Sequence, residues 1–177
     1  MLNTHTIRLA TIVFSEKMAL PIKDVEHFVA GLIFGLVNHN DFPYIETCLQ
    51  DARTLDEEIT EALADFAKKD IYSILDGIKL IGKALTELPQ DLGQCKEMQA
   101  DLKKIESWAT IFKHPLALAR ALSSNVWQHL PEIYTDVNTL ITDLGTHDMS
   151  DAGQEVAEIL VLALGPVAEK DVEATLF

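Results

Sequence analysis

The residues best suited to chemistry in this sequence are its two cysteines. Cys48 and Cys95 are the only thiols, and no CxxC or zinc-spaced Cys/His set accompanies them. Both lie near apolar faces of predicted helices, and no adjacent basic cluster would lower their thiol pKa values, so a structural role is favoured over a nucleophile. They are either two core thiols or one disulfide, which would add about 4 kcal/mol of stability by closing the loop between them.

Metal-binding patterns are incomplete. A carboxylate-bridged centre in a helical bundle needs Glu-x-x-His on facing helices, and the nearest match is Asp24-x-x-His27, where Asp24 fits a helix cap. An EF-hand loop would begin at Asp148, and Ser150 and Gly153 fit its third and sixth positions, but the fifth and twelfth positions lack oxygen ligands. We therefore predict no metal site and no cofactor.

Motifs of the common enzyme classes are also missing from the sequence. It contains no P-loop, GxGxxG, GxSxG or HExxH pattern. We predict that the protein is not an enzyme. The alternative is a site built from scattered residues, such as His114, Tyr134 and Asp136, converging in a pocket.

Glycines and aromatic residues on core helices are the best candidates for a ligand pocket. A glycine inside a helix costs about 1 kcal/mol relative to alanine, so glycines there indicate either close helix packing or a groove for an apolar ligand. Two aromatic residues one turn apart favour a core position, with a pocket wall as the alternative. The ligand-pocket candidates are Gly31, Gly35, Gly77, Trp108 and Phe112.

The elements that must position these residues are helices. Apolar residues recur at i, i+3, i+4 and i+7 from residue 24 onward, and no segment alternates with period two for long. We predict an all-α fold, a compact single-domain bundle of six to eight helices, with the hydrophobic first and last helices near its centre. The helices are expected at about 24–37, 41–52, 54–66, 70–89, 90–113, 115–131, 133–145 and 150–164.

The ends of the chain are predicted to lie outside this bundle. Residues 1–20 are expected to be an N-terminal extension, residues 21–167 the helical domain and residues 168–177 a loose tail. The apolar run at residues 9–14 is shorter than a secretory signal requires. No uncharged apolar stretch reaches the roughly 18 residues of a membrane span, so we predict no transmembrane segment.

The charge balance limits the partners. The sequence has 28 Asp and Glu against 14 Lys and Arg, a formal net charge of -14. Such a surface repels phosphate backbones and anionic membranes, so we predict no nucleic-acid partner. An apolar small molecule or another protein is the expected partner, and the oligomeric state is open.

The layout of several short motifs resembles small two-cysteine helical proteins of ciliated protists. The motifs are Phe28-x-x-Gly31-x-x-x-Gly35-Leu36, Cys48, Leu88-Pro89, Cys95 and Trp108-Ala109-x-x-Phe112-x-x-Pro115. The resemblance covers most of the chain and implies export and a bridged cysteine pair, but no activity. We therefore expect an extracellular or secretory location, with the cytoplasm as the alternative. Saposins are similar as small helical lipid binders, but their six-cysteine framework is missing.

Three functional hypotheses follow in order of preference. The first is a non-catalytic helical binding protein that holds a lipid or other apolar ligand between helices. The second is a structural or interaction protein that acts as an oligomer. The third is an enzyme with an unrecognised site.

Overall fold

The computed structural model describes residues 20–49 and 52–167, and these residues form helices and connecting turns without a β-strand. The α-helices are α1 (Ile22–Val37), α2 (Phe42–Cys48), α3 (Arg53–Ala67), α4 (Ile71–Asp91), α5 (Gln99–Ala109), α6 (Pro115–Gln128), α7 (Leu130–Gly145) and α8 (Met149–Leu164). Short 3-10 turns at Lys96–Met98 and Thr110–Lys113 flank α5. The predicted all-α bundle is confirmed. Residues 1–19 of the expected extension and the whole expected tail lie outside the described residues.

Helix starts follow local hydrogen bonding. The carboxylates of Asp70 and Asp148 accept backbone N–H bonds at the starts of α4 and α8, as N-cap residues do. The expected cap at Asp24 is wrong, because Asp24 lies within the first turn of α1, after Pro21. Helix α3 begins at Arg53, one residue before its expected start.

The long helix expected at 90–113 is divided. Helix α4 continues through Pro89 to Asp91, and α5 begins only at Gln99. Pro89 is tolerated because it lies in the last turn of α4, where few residues follow the lost N–H bond. The chain then turns at Cys95, where a disulfide holds it.

That disulfide links Cys48, the last residue of α2, to Cys95 in the turn before α5. Their Cα atoms are 5.6 Å apart, within the range of disulfide-bonded residues. Of the two alternatives left open by the sequence, the bridged pair is the one that the structure contains. It fastens the short helix α2 to the segment between α4 and α5.

The centre of the bundle is the contact between α1 and α8, as expected for the two most apolar helices. A Cβ on Gly31 would overlap the backbone carbonyl of Ser150, and one on Gly153 would lie 2.7 Å from the backbone nitrogen of Leu32. The two backbones can approach this closely only because these positions lack side chains. Around this pair, α7 and α6 pack on α8, and α3 packs on α4.

In the described part of the chain, none of the helices has the length and apolar character needed to cross a membrane.

Candidate functional site: an apolar pocket between α4 and α6

A half-open pocket lies between α4 and α6. Helix α6 packs on α8 and on the Thr110–Lys113 turn, whereas α4 packs on α3 and α5. The facing sides of α4 and α6 therefore leave a space of about 490 Å³ between them. The residues that line it are predominantly apolar: Ile71, Tyr72, Leu75, Lys79, Phe112, Pro115, Leu118, Ala119, Leu122, Ser123, Val126 and Trp127.

The walls follow from helical periodicity. Helix α6 contributes residues from 115 to 127 at spacings of three and four, which is the pattern of one continuous helix face. Leu118, Leu122 and Val126 are nearly fully buried along this face. Helix α4 supplies the opposite wall from its first two and a half turns. The pocket is therefore built on two rigid elements rather than on loops.

Phe112 closes one end of the pocket. A Cβ on Gly82 of α4 would overlap the Phe112 ring, so the glycine is what allows this ring to lie against α4. Trp108 stands one turn earlier, with its ring centroid 6.3 Å from that of Phe112 in an edge-on arrangement. The Trp108 indole N–H donates to the carbonyl of Gly165 at 3.0 Å, which fixes the aromatic pair against the end of α8.

The rim at the other end is exposed. Tyr72 and Trp127 are 78% and 64% exposed, although both are large aromatic residues. Leu116, at the opposite end of α6 from Trp127 and outside the pocket lining, is also 78% exposed. Singly exposed apolar residues are ordinary, but an apolar patch beside a pocket is typical of a binding surface.

Polar groups in the lining are few. Lys79 is the only charged residue of the lining, and its other polar side-chain groups are the hydroxyls of Tyr72 and Ser123 and the indole N–H of Trp127. Among the described residues, no carboxylate forms an ion pair with Lys79, whereas Lys83, one turn further along α4, lies 3.8 Å from Glu58. The lining contains no histidine or carboxylate to act as a general acid or base.

Of the five predicted pocket residues, the structure places only Phe112 in this lining. Gly31 and Gly35 lie against Ser150 and Ala157 of α8, and the space above Gly77 is filled by the Phe66 ring. Trp108 supports Phe112 from behind. A ligand role for Gly31, Gly35, Gly77 and Trp108 stays a prediction.

Sequence reasoning missed the remaining lining residues. Leu118, Leu122 and Val126 are buried core residues that also line the pocket, and their helical spacing does not distinguish the two roles. The available signal was the width of the apolar stripe on α6, which includes Pro115 and Ala119 as well. Periodicity reports which face of a helix is apolar but not whether a neighbour covers it.

Three carboxylates meet where α7 contacts α8. One oxygen from each of Asp136, Glu155 and Glu158 lies within 4.8 Å of the others. Burial, followed by the charge of Glu158, raises the pKa of Asp136 to about 6 and that of Glu155 to about 7. Such a group can share protons or attract a cation, but exposed acidic groups are common without an ion.

A second acidic pair lies where the α1–α2 loop contacts α5. Asp41 and Asp101 are 4% and 5% exposed. Burial raises the pKa of Asp41 to about 7, with further increases from a hydrogen bond to Asp101 and from its charge, opposed by His39. His39 Nδ1 lies 2.8 Å from Asp101 Oδ1. The arrangement therefore favours retention of a proton on Asp41.

Comparison with known proteins identifies the family. A family model described as Secreted protein B-like (SctB-like) matches residues 11–164, which include all eight described helices, the cysteine pair and the whole pocket. Neither the curated proteins nor the solved structures contain a match. The relation to proteins of ciliated protists stays a prediction. By the extent of the family match, the chain belongs to the Secreted protein B-like family.

Proposed function

We propose that this protein is a non-catalytic carrier or receptor that holds an apolar ligand in the pocket between α4 and α6. The observation behind the proposal is the pocket itself. Its volume of about 490 Å³ falls in the range of small-molecule sites, which are mostly apolar with a few polar groups. A lining without a carboxylate or histidine supports binding over catalysis.

The energetics favour a ligand with a hydrocarbon portion. Each methylene group removed from water contributes about 0.8 kcal/mol, and the apolar walls of both helices are already in place. A preformed site loses little free energy to ordering when the ligand enters. Binding also covers Tyr72 and Trp127, the exposed aromatic residues of the rim.

We further propose that the protein is exported and that residues 21–167 form the binding domain, with residues 1–20 as an extension and 168–177 as a tail. The family description supports export. The Cys48–Cys95 disulfide supports it independently, because such bonds persist in oxidising compartments and are rare in the cytosol. Recovery of the oxidised chain from culture medium would support export, and its confinement to the cytosol in reduced form would contradict it.

An interaction role is the second candidate, and the exposed rim favours it. Leu116, Tyr72 and Trp127 could be covered by a partner protein or a second copy instead of a ligand. Sedimentation velocity over a range of concentrations distinguishes the two functions. Self-association that is abolished by Leu116→Lys would favour the interaction role, and a monomer at every concentration would favour the ligand pocket.

The direct test is a titration with Nile red, an uncharged dye that fluoresces in apolar surroundings. Ala119 lines the pocket, whereas Ala117, on the same helix, does not. Both positions are exposed, so a phenylalanine can be introduced at either without overpacking the core. We expect Ala119→Phe to lower dye affinity about tenfold by filling the site, which corresponds to about 1.4 kcal/mol.

The matched variant Ala117→Phe should bind Nile red like the wild type, because its added ring lies outside the pocket. Equal binding by all three proteins would place the dye elsewhere and contradict the proposal. Absence of binding to the wild type would contradict it as well.

A further inference from the structure

We infer that the ligand is a single-chain amphiphile with one negative charge, such as a long-chain carboxylate, and that Lys79 pairs with its head group. This inference rests on the proposed function, since it names the class of ligand that the pocket accepts. It concerns the polar end of the site, which the apolar walls alone do not explain.

Lys79 forms no ion pair with a carboxylate among the described residues. The chain has twice as many acidic as basic residues, and Lys23, Lys68 and Lys83 each lie within 4 Å of a carboxylate. Within the residues that the structure describes, Lys79 has no such partner, which is also true of exposed lysines such as Lys103, but Lys79 is the lysine that lines the apolar pocket. A lysine that uses its hydrocarbon stem as pocket wall keeps its ammonium group at the edge, in contact with water. An anionic head group at that edge would complete the pairing.

Lys79 lies toward one end of the pocket. Phe112 lies against Gly82, and α6 begins just after Phe112, so Lys79 lies toward the end at which α6 starts. The pocket then extends along α6 to Trp127, about 18 Å at 1.5 Å per residue. The single charge is therefore at one end of an elongated apolar wall. An extended acyl chain with a terminal charge has the matching arrangement, with one charged end and a long apolar portion.

The sign and size of the ligand charge follow from the same lysine. Lys79 is the single charged residue of the lining and can compensate one negative charge, but the net charge of -14 opposes a second. Desolvating an uncompensated charge is costly. A carboxylate therefore fits better than a dianionic phosphate monoester, and an amine head group would leave Lys79 facing a like charge.

The test compares decanoate, decylammonium, decyl phosphate and decanol by isothermal titration calorimetry on the full chain. The wild-type protein should bind decanoate more tightly than decylammonium, although its acidic surface attracts cations. It should bind decyl phosphate more weakly than decanoate. Lys79→Met, which keeps the apolar stem and removes the charge, should weaken decanoate binding about threefold to fivefold, as expected for a solvent-accessible ion pair. Decanol affinity should not change.

Lys103→Met is the control, because Lys103 is exposed on α5 and does not line the pocket. The affinity of Lys103→Met for decanoate should equal that of the wild type. If Lys79→Met binds decanoate normally, or if decylammonium or decyl phosphate binds at least as tightly as decanoate, the head-group inference is overturned. The pocket stands in those cases when decanol still binds and Ala119→Phe weakens it. If none of these compounds binds the wild type, both the inference and the proposed function fail.

Discussion

At the scale of single residues, the least expected feature is a pair of aspartates buried together. Asp41 and Asp101 are both almost fully covered. Two adjacent carboxylates cannot both ionise cheaply, so one keeps its proton well above its ordinary pKa. Sequence analysis had Asp41 only as the start of a helix, since no local pattern reveals that Asp101 of α5 packs against it.

Replacing Asp41 with asparagine tests this pairing. The pKa of Asp41 is about 7 in the folded protein and about 3.9 in an unfolded chain, so the native state retains a proton that the unfolded state releases as pH rises between these values. Stability is lost over that interval. Asp41→Asn should therefore stabilise the fold by about 2 kcal/mol at pH 8 and have little effect at pH 4, measured by urea unfolding.

Asp101→Asn is the informative partner variant, because it also removes the contact with His39. It should not reproduce the gain at pH 8 in full. A loss of stability in Asp41→Asn at pH 8 would show that folding does not raise the pKa of Asp41, contrary to the assignment.

Gly31 offers a second test at this scale. A methyl group there would overlap the Ser150 carbonyl, which is backbone, whereas one at Gly77 would meet the Phe66 ring at 3.0 Å. A side chain can shift more readily than a helix backbone. Gly31→Ala should destabilise the fold by about 2–3 kcal/mol, and Gly77→Ala by about 1 kcal/mol or less. Equal effects in chemical denaturation would contradict a backbone-to-backbone contact between α1 and α8.

At the scale of elements, helix type and number followed from the sequence, but some boundaries did not. The 3.6-residue period predicts α1, α3, α4, α7 and α8 within a few residues of their observed limits. It merged the segment from Gln90 to Lys113 because apolar residues continue in phase through the turn at Cys95. The disulfide, a tertiary constraint, interrupts that helix, and periodicity carries no information about such constraints.

The contribution of the disulfide can be measured. In the chain-entropy account, removing a bridge that spans 47 residues costs about 4 kcal/mol. The double variant Cys48→Ser, Cys95→Ser should lose stability of this order and should no longer respond to reductant. The wild type should approach the variant when dithiothreitol is added. If dithiothreitol does not change the thermal midpoint of the wild type, the disulfide contributes little to the stability of the fold.

At the scale of the whole molecule, buried carboxylates set the pH dependence of stability. Besides Asp41, burial raises the pKa values of Glu58 and Glu155 to about 7 and those of Asp136 and Asp143 to about 6. Every one of these shifts is upward, so the folded protein binds more protons than the unfolded chain between about pH 4 and pH 7. Stability should therefore fall as pH rises through this window.

Thermal unfolding at pH 5 and pH 8 checks this expectation, with a higher midpoint at pH 5. Glu155→Gln should raise the thermal midpoint at pH 8, because it should increase the free energy of unfolding by about 1–2 kcal/mol after allowance for solvent screening. It should also make the midpoint depend less on pH. Glu61→Gln, an exposed position on α3, should leave the slope unchanged. A midpoint that rises from pH 5 to pH 8 would contradict the assigned direction of these shifts.

The same scale shows where sequence reasoning ends for function. Composition and periodicity predict an all-α bundle because burying apolar faces is a property of the whole chain. The pocket depends instead on the space that remains between α4 and α6 once α6 has packed on α8. Leu122, which lines the pocket, and Leu85, which does not, are both buried and follow the same periodic pattern. Only the arrangement of neighbouring helices distinguishes them.

The most direct test of the central claim is native mass spectrometry of the oxidised wild type, Ala119→Phe and Ala117→Phe, each equilibrated with decanoate. The account predicts a monomer carrying one ligand in the wild type and in Ala117→Phe, with the bound fraction strongly reduced in Ala119→Phe. Equal ligand occupancy in all three proteins, or no ligand on any of them, would contradict a binding pocket between α4 and α6.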